Sequence, residues 1–270
     1  LKAIETKEPQ ICQLEEGGIW KEGGASSWIV EAKYAMFIPI KNKRLESNAS
    51  IYILAVFDKE KRGGGTLTFN ERDEGILNSI ANHAAILIEN VYNYELATRD
   101  SLTRFYVRRF FDQRLIEQTQ KAKETEETFS LLIMDIDHFK NVNDNFGHQV
   151  GDDVIRLVAS IVQRNIRTDM DIPARYGGEE FTLIMPEADS ETAIRVAERI
   201  RQAIEKTDVS RLVTGRNITV SIGISTFPFH IPTGTAKKDE PKALLEAADI
   251  ALYRSKTQGR NKVSLYDEEY

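Results

Sequence analysis

Hydrophobic and polar positions alternate along this chain with two periods, and the switches between them mark its elements. Leu131–Met134 is an unbroken apolar run of strand length and reads as a buried strand. Ile172–Ala174 and Phe181–Met185 flank a glycine pair and read as the two arms of a β-hairpin. In order, the pattern predicts a helix over Arg108–Thr125, a strand over Phe129–Ile136, and a helix over Gly151–Arg167. The hairpin Ile172–Met185, a helix over Ser190–Thr207 and a strand over Asn217–Thr226 follow. A helix over Pro241–Lys256 and a strand around Lys262–Leu265 close the chain. The middle elements read β-α-β-β-α-β, the split βαβ plan with an antiparallel sheet and helices on one face. The expected class is α+β.

The first part is more mixed. Ala35–Ile40 and Ile51–Phe57 read as strands joined by the polar segment Lys41–Ser50, and Lys59–Gly65 as a flexible connection. Asn70 suits an N-cap, since an acidic first turn follows it. From Glu71 to Thr98 the period is helical. Leu77, Ile80, Ala84, Leu87, Val91 and Tyr94 recur at alternating three- and four-residue steps, an a/d stripe that Gly75 weakens only at its start. The favoured reading is a parallel two-helix seam with a second copy over residues 73–99; the other is packing on the helix's own domain. His83 lies beside the stripe as a surface or seam residue.

The length allows two domains. Lys and Arg number 36 against 42 Asp and Glu, a net charge of −6 that argues against nonspecific nucleic-acid binding. A polymerase is further disfavoured by the lack of a basic template-binding stretch. The lone Cys12 cannot form an internal disulfide; it fits a reducing, cytoplasmic compartment and reads as an inert packing residue. No apolar run reaches the roughly 20 residues of a membrane span, so no membrane contact is expected, and no signal peptide is evident. A chain opening on Leu is expected to be a piece of a longer protein, whose other parts could include an anchor or more sensor modules.

The chemistry concentrates in two acidic stretches. Arg175-Tyr176-Gly177-Gly178-Glu179-Glu180-Phe181 forms the hairpin tip, with the glycines expected to supply positive φ and close approach for a ligand. Adjacent carboxylates there repel each other unless a cation separates their roles. Upstream, Asp135 and Asp137 stand at a strand's carboxyl end, two residues apart and so on one face. Carboxylates converging from a strand end and a hairpin tip suit Mg²⁺, which takes hard oxygen ligands and keeps positions for water and phosphate. Such an ion would lower the pKa of a nearby hydroxyl.

The stretches DIDHFKNVNDNFGHQVGDD and RYGGEEF resemble the GGDEF family of diguanylate cyclases in its Glu-for-Asp form. The run from Ala248 to Asn261 resembles the same family's C-terminal signature, so the likeness covers roughly Thr98 to the end. Asp100-Ser-Leu-Thr103 opens that part, and the arginine pair Arg108-Arg109 is kept, although the family's Gly-Leu and Asn are replaced. The departures touch the approach to the domain rather than its chemistry. The segment 1–72, with its strand pair, polar loop and Phe69-x-x-Arg72-Asp73-Glu74-x-x-Leu77, resembles the C-terminal part of a GAF sensor domain. An interaction module without a ligand is the other reading of that segment.

The resemblance implies a palm-like nucleotidyl cyclase sheet over residues 100–270 that condenses two GTP into cyclic di-GMP. A GAF-like segment and a long helical linker precede it. Each domain would hold one GTP, so two copies must face each other, as a homodimer through helix 73–99. By resemblance, Asp135, Glu179 and the Ile136 carbonyl hold Mg²⁺ (or Mn²⁺), and Glu179 helps deprotonate the 3′-hydroxyl. Glu180 has either a direct role or is a hairpin carboxylate satisfied by nearby amides. Asn143 and Asp152 match guanine-reading positions. A carboxylate accepting two donors rejects adenine, whose N1 is itself an acceptor, and so disfavours an adenine-containing product. Otherwise these two residues simply cap the helix near Gly151. Phe139, Lys140, Lys256 and Arg260 match phosphate-contacting positions, whereas His138 and His148 are expected to be structural, no zinc spacing being present. The family's inhibitory Arg-x-x-Asp site keeps Asp171 but has Thr168 in place of its Arg, with Arg167 one residue away, about 100° around a helix. Weak product inhibition is expected. The alternative from another class is a catalytically silent GTP-binding sensor, against which the intact Asp135 and Glu179 argue.

Overall fold

The computed structural model describes residues 8–13, 19–21, 29–31, 33–41, 52–60, 66–214, 217–232 and 234–267. Positions 42–51 and 61–65, which include most of the expected polar loop and Gly63–Gly65, lie outside the described residues. The chain divides into two compact units, Leu1–Glu95 and Leu96–Tyr270.

In the first unit, β1 (Gln10–Gln13), β4 (Tyr34–Ile40) and β5 (Tyr52–Phe57) form an antiparallel sheet, and β2 (Ile19–Lys21) pairs with β3 (Ile29–Glu31). The connection expected after β5 is partly a ribbon, since β6 (Lys59–Glu60) pairs antiparallel with β7 (Thr66–Leu67). Alternation sends Met36 and Ile38 to one face of the sheet, with Phe69, Leu77 and Ala81. Ala35 and Phe37 go to the other face, where Cys12 packs with Ile53 and Phe57. Helix α1 (Glu71–Thr98) starts as its sequence dictates. Asn70 Oδ1 accepts from the amides of Arg72 and Asp73, and Asp73 Oδ2 accepts from the Asn70 amide, a reciprocal cap. The heptad stripe divides. Leu77 turns inward with Ala81, whereas Ile80, Leu87, Val91 and Tyr94 remain exposed. Among the described residues no helix is long and apolar enough to cross a membrane.

The second unit is built on a six-stranded sheet in the order β13-β12-β9-β11-β10-β8. Its strands are β8 (Tyr106–Val107), β9 (Phe129–Ile136), β10 (Ile172–Arg175), β11 (Glu180–Pro186), β12 (Val220–Phe227) and β13 (Val263–Leu265). The four central strands are antiparallel, as expected, but both edge strands pair parallel, so the sheet is mixed. Every residue of β9 is buried, which requires cover on both faces. Leu132, Met134 and Ile136 face the helices of the βαββαβ core: α3 (Phe139–Phe146), α4 (His148–Arg164) and α5 (Ser190–Glu205). Phe129, Leu131 and Ile133 face the outer pair, α2 (Arg108–Thr125) and α6 (Glu240–Thr257). Gly223 makes the second packing possible, because a Cβ there would lie 2.2 Å from the backbone of both Ala248 and Leu252.

Several boundaries differ from the pattern, among them the start of α4 at His148 rather than Gly151. Helix α3 falls in a stretch rich in Asn and Asp, poor helix formers that favour loops. Burial of Phe139 and Val142 overrides that preference. Gly147, at φ 84°, then separates α3 from α4. Helix α4 ends at Arg164, so Arg167 lies beyond it rather than on it. β12 begins at Val220, three positions later than expected.

Candidate active site

The register between β11 and β9 sets Glu180 opposite Asp135, and the Ile136 amide donates to the Glu179 carbonyl at 3.4 Å. Hairpin tip and strand end are thereby one place. The turn closes with the amides of Tyr176 and Gly177 donating to Glu180 O, at 2.8 and 3.3 Å. Neither Gly177 nor Gly178 is among the positive-φ glycines, so the expected left-handed turn is corrected. Glycine at the first position leaves room for the Glu180 side chain, whose Oε2 would lie 2.5 Å from a Cβ on Gly177. Nothing lies within 4 Å of the corresponding point on Gly178.

Two residues outside the expected set hold the tip in place. Arg175 donates from Nε and Nη2 to Gly178 O, at 3.2 and 2.8 Å, and from Nη1 to Asp100 at 3.2 Å. Asp100 in turn accepts from the Thr103 amide and hydroxyl, both at 2.8 Å. Burial opposes its ionisation, but the two Thr103 bonds and Arg175 outweigh that and hold its carboxyl below the usual range. The hairpin is thus clamped to the turn that opens the unit. Beside it, the Arg108 guanidinium lies 4.3 Å over the Tyr176 ring, which meets Phe111 edge-on.

The charges at the tip are under-compensated. Asp135 is 9% exposed, and burial pushes its carboxyl up; Lys256 Nζ, at 2.8 Å, pulls against that. Asp137 adds a further upward push and Arg260 a downward one. Glu179 is pushed up by burial first, then by the negative charges of Asp135 and Glu180. Two close carboxylates and a strand-end carbonyl make a hard oxygen donor set, and Lys256 already draws positive charge to it. Among the described residues no group of three or more His, Cys, Asp or Glu side chains is arranged to hold a metal. A short set of hard oxygens nevertheless fits Mg²⁺, which leaves its remaining positions to water and phosphate.

Asp137 does not join this cluster, contrary to the alternation argument. β9 ends at Ile136, and the Asp137 carboxylate is taken up by Ser221 Oγ at 2.6 Å, Thr219 Oγ1 at 2.8 Å and the Asn261 amide at 3.0 Å. Asn143 lies against the start of α4, where a Cβ on Gly151 would come within 2.0 Å of its Oδ1. Asp152 is exposed one residue further on. Neither caps α4, whose N-cap is Gly147 with no side-chain hydrogen bond. Phe139 has its ring in the core, which leaves its backbone for any ligand, while Lys140, His138, His148 and Arg260 are exposed. At the other end of the hairpin, Asp171 is buried. It accepts from Arg167 through the amide (2.8 Å), Nε (3.0 Å) and Nη2 (2.6 Å). Thr168 is exposed.

The family model for the diguanylate cyclase GGDEF domain matches residues 97–262. Diguanylate cyclase A of Treponema denticola is 36% identical over 234 residues, which cover 86% of this chain and 59% of that protein. Response regulator PleD of Caulobacter vibrioides is 39% identical over 175 residues, covering 64% of this chain and 37% of PleD. The chain therefore spans well under two thirds of these relatives' lengths. Among solved structures, the coiled coil and GGDEF domain of DgcB from Caulobacter crescentus, in complex with c-di-GMP, is similar with a TM-score of 0.63 at 33% identity. It covers 73% of this chain and all (100%) of that one. The active GGEEF domain of a Vibrio cholerae diguanylate cyclase gives 0.53 at 30% identity, over 60% of this chain and 97% of that one. A match over residues 97–262, with the hairpin and strand-end acids inside it, makes this chain a member of the diguanylate cyclase GGDEF-domain family.

Proposed function

We propose that the protein condenses two GTP molecules into cyclic di-GMP with release of two pyrophosphates. The single observation that carries this reading is the β9–β11 register, which brings Glu179 and Glu180 beside Asp135 at the open end of the sheet. The 3′-hydroxyl of one GTP attacks the α-phosphorus of the other; a new ester bond forms as the bond to pyrophosphate breaks. Asp135, Glu179 and the Ile136 carbonyl hold Mg²⁺ or Mn²⁺. When bound, the ion supplies charge stabilisation at the phosphates and acidifies the hydroxyl. Glu179 accepts the proton of that hydroxyl. Glu180 packs over Gly177 and keeps the tip's shape.

Asn143 and Asp152 read guanine. Asp152 accepts from N1–H and the exocyclic amine, and its exposure and freedom from capping support that role. Lys140, Lys256, Arg260 and the Phe139 backbone at the start of α3 take the phosphates. Asp171, bonded to Arg167, is closed to the cyclic product, so feedback inhibition through this position is weak.

One GTP per domain requires two domains to face each other. The exposed Ile80, Leu87, Val91 and Tyr94 support a parallel homodimer through helix 73–99. Residues 1–72 are the C-terminal part of a GAF-like sensor whose state sets how the helices meet, and residues 100–270 are the catalytic domain. The protein works in the cytoplasm. Incubating the purified chain with GTP and Mg²⁺, with ATP as the control, tests the reaction by mass spectrometry. Cyclic di-GMP from GTP alone is expected; GTP binding with no product would overturn it in favour of a silent sensor.

A further inference from the structure

The segment between α6 and β13 turns through three consecutive left-handed residues, Gly259 (φ 110°), Arg260 (φ 63°) and Asn261 (φ 47°). Glycine adopts that region freely and Asn tolerates it, whereas Arg must be held there. Its own amide donates to Ser255 O at 3.0 Å. The rest of the hold comes through Asn261. The Asn261 amide donates to Asp137 Oδ2 at 3.0 Å and its Nδ2 to Glu205 Oε1 at 2.6 Å, while its Oδ1 accepts from Arg201 Nη1 at 2.7 Å. The Glu205 carboxyl is held below its usual range, first by the Asn261 amide group and then by Arg201, which also bonds Glu198. Asp137 is itself fixed by Ser221 of β12 and by Thr219 just before that strand. A continuous set of bonds thus runs from α5 through Asn261 to Asp137, just past the end of β9 and two residues beyond Asp135.

A connection needing only to reverse direction would place one glycine there. Here the strained residue is a cation whose charge lowers the Asp135 carboxyl, four residues beyond Lys256, which bonds the same carboxylate at 2.8 Å. We propose that Asn261 is a positioning residue. Clasped by Asp137, Glu205 and Arg201, it fixes the left-handed backbone of Arg260 so that the guanidinium faces the triphosphate beside Asp135. The inference rests on the reading of Arg260 as a phosphate contact.

The test uses the full chain and 3′-deoxy-GTP, which carries the triphosphate but lacks the attacking hydroxyl. Arg260→Ala should weaken its binding about tenfold, the loss of a charge-assisted hydrogen bond. Asn261→Gly keeps the left-handed backbone and the amide bond to Asp137 but removes the clasp to α5. It should weaken binding about threefold, by letting Arg260 wander. The double variant should bind no more weakly than Arg260→Ala alone. GTP turnover should show the Asn261→Gly effect in KM rather than kcat. Additive losses in the double variant, or wild-type binding by Asn261→Gly, would overturn the positioning role. Unchanged binding by Arg260→Ala would instead overturn the phosphate reading beneath it.

Discussion

The hairpin β10–β11 carries an acid at each end, and the two are treated oppositely. At its base, Asp171 is buried and takes three hydrogen bonds from Arg167, which also donates to Pro186 O. At its tip, Glu179 is pushed toward the neutral form by burial first and then by the charges of Asp135 and Glu180. A buried carboxylate whose two oxygens both accept hydrogen bonds stabilises a fold; a cluster of acids short of positive charge repels itself and favours a cation. The difference separates architecture from chemistry within one hairpin. Asp137, two residues from Asp135, belongs with Asp171, because three donors from three residues hold its two oxygens in place.

That contrast can be broken most strongly at the tip. Glu179→Gln should lower product formation by at least about 100-fold, since a metal ligand and proton acceptor are lost together. Its melting temperature should not fall, because a repulsive charge has been removed. At the base the pattern should invert. Arg167→Ala strands a buried carboxylate and should cost roughly 2 kcal/mol in denaturant unfolding, with kcat per folded molecule unchanged. Added cyclic di-GMP should inhibit weakly, and Asp171→Asn should not alter that; strong inhibition abolished by Asp171→Asn would sink this part of the account.

Lys256→Ala sharpens the contrast, because it removes the cation that partly balances Asp135. GTP should then bind about tenfold more weakly in steady-state kinetics. The smallest effect is expected at the clamp. Asp100→Asn should cost about 1 kcal/mol at neutral pH, in keeping with partly exposed bonds to Thr103 and Arg175. Because the folded-state pKa of Asp100 is depressed, its stabilisation is full above the unfolded value. It is lost as pH falls through the folded one, so urea unfolding should show wild type and variant converging in acid.

Much of this was legible in the sequence. The βαββαβ order, the span of α2 and that of β9 follow from period and run length alone, because buried strands and amphipathic helices leave strong patterns. The acids of the tip were legible too, since adjacent carboxylates on a turn have few structural uses. The outer helices' place on the second face was not, as nothing local says which side of a sheet a terminal helix covers. Helix α3 was hidden by its Asn and Asp residues. Arg175 and Asp100 were missed because the clamp joins positions 75 apart in sequence, where no local spacing points from one to the other. The one available signal was a bulky cation two residues before the glycine pair. The heptad stripe carried both of its readings at once: Leu77 packs on the first unit's core, whereas Ile80, Leu87, Val91 and Tyr94 are exposed.

The tip of the hairpin is short of positive charge and its base is not. Mn²⁺ binding in the presence of 3′-deoxy-GTP, followed by electron paramagnetic resonance, tests it without depending on turnover. Wild type and Asp171→Asn should bind the ion alike, while Glu179→Gln should lose most of the bound signal. Equal binding by Glu179→Gln, or its loss in Asp171→Asn, would contradict the assignment of the two ends.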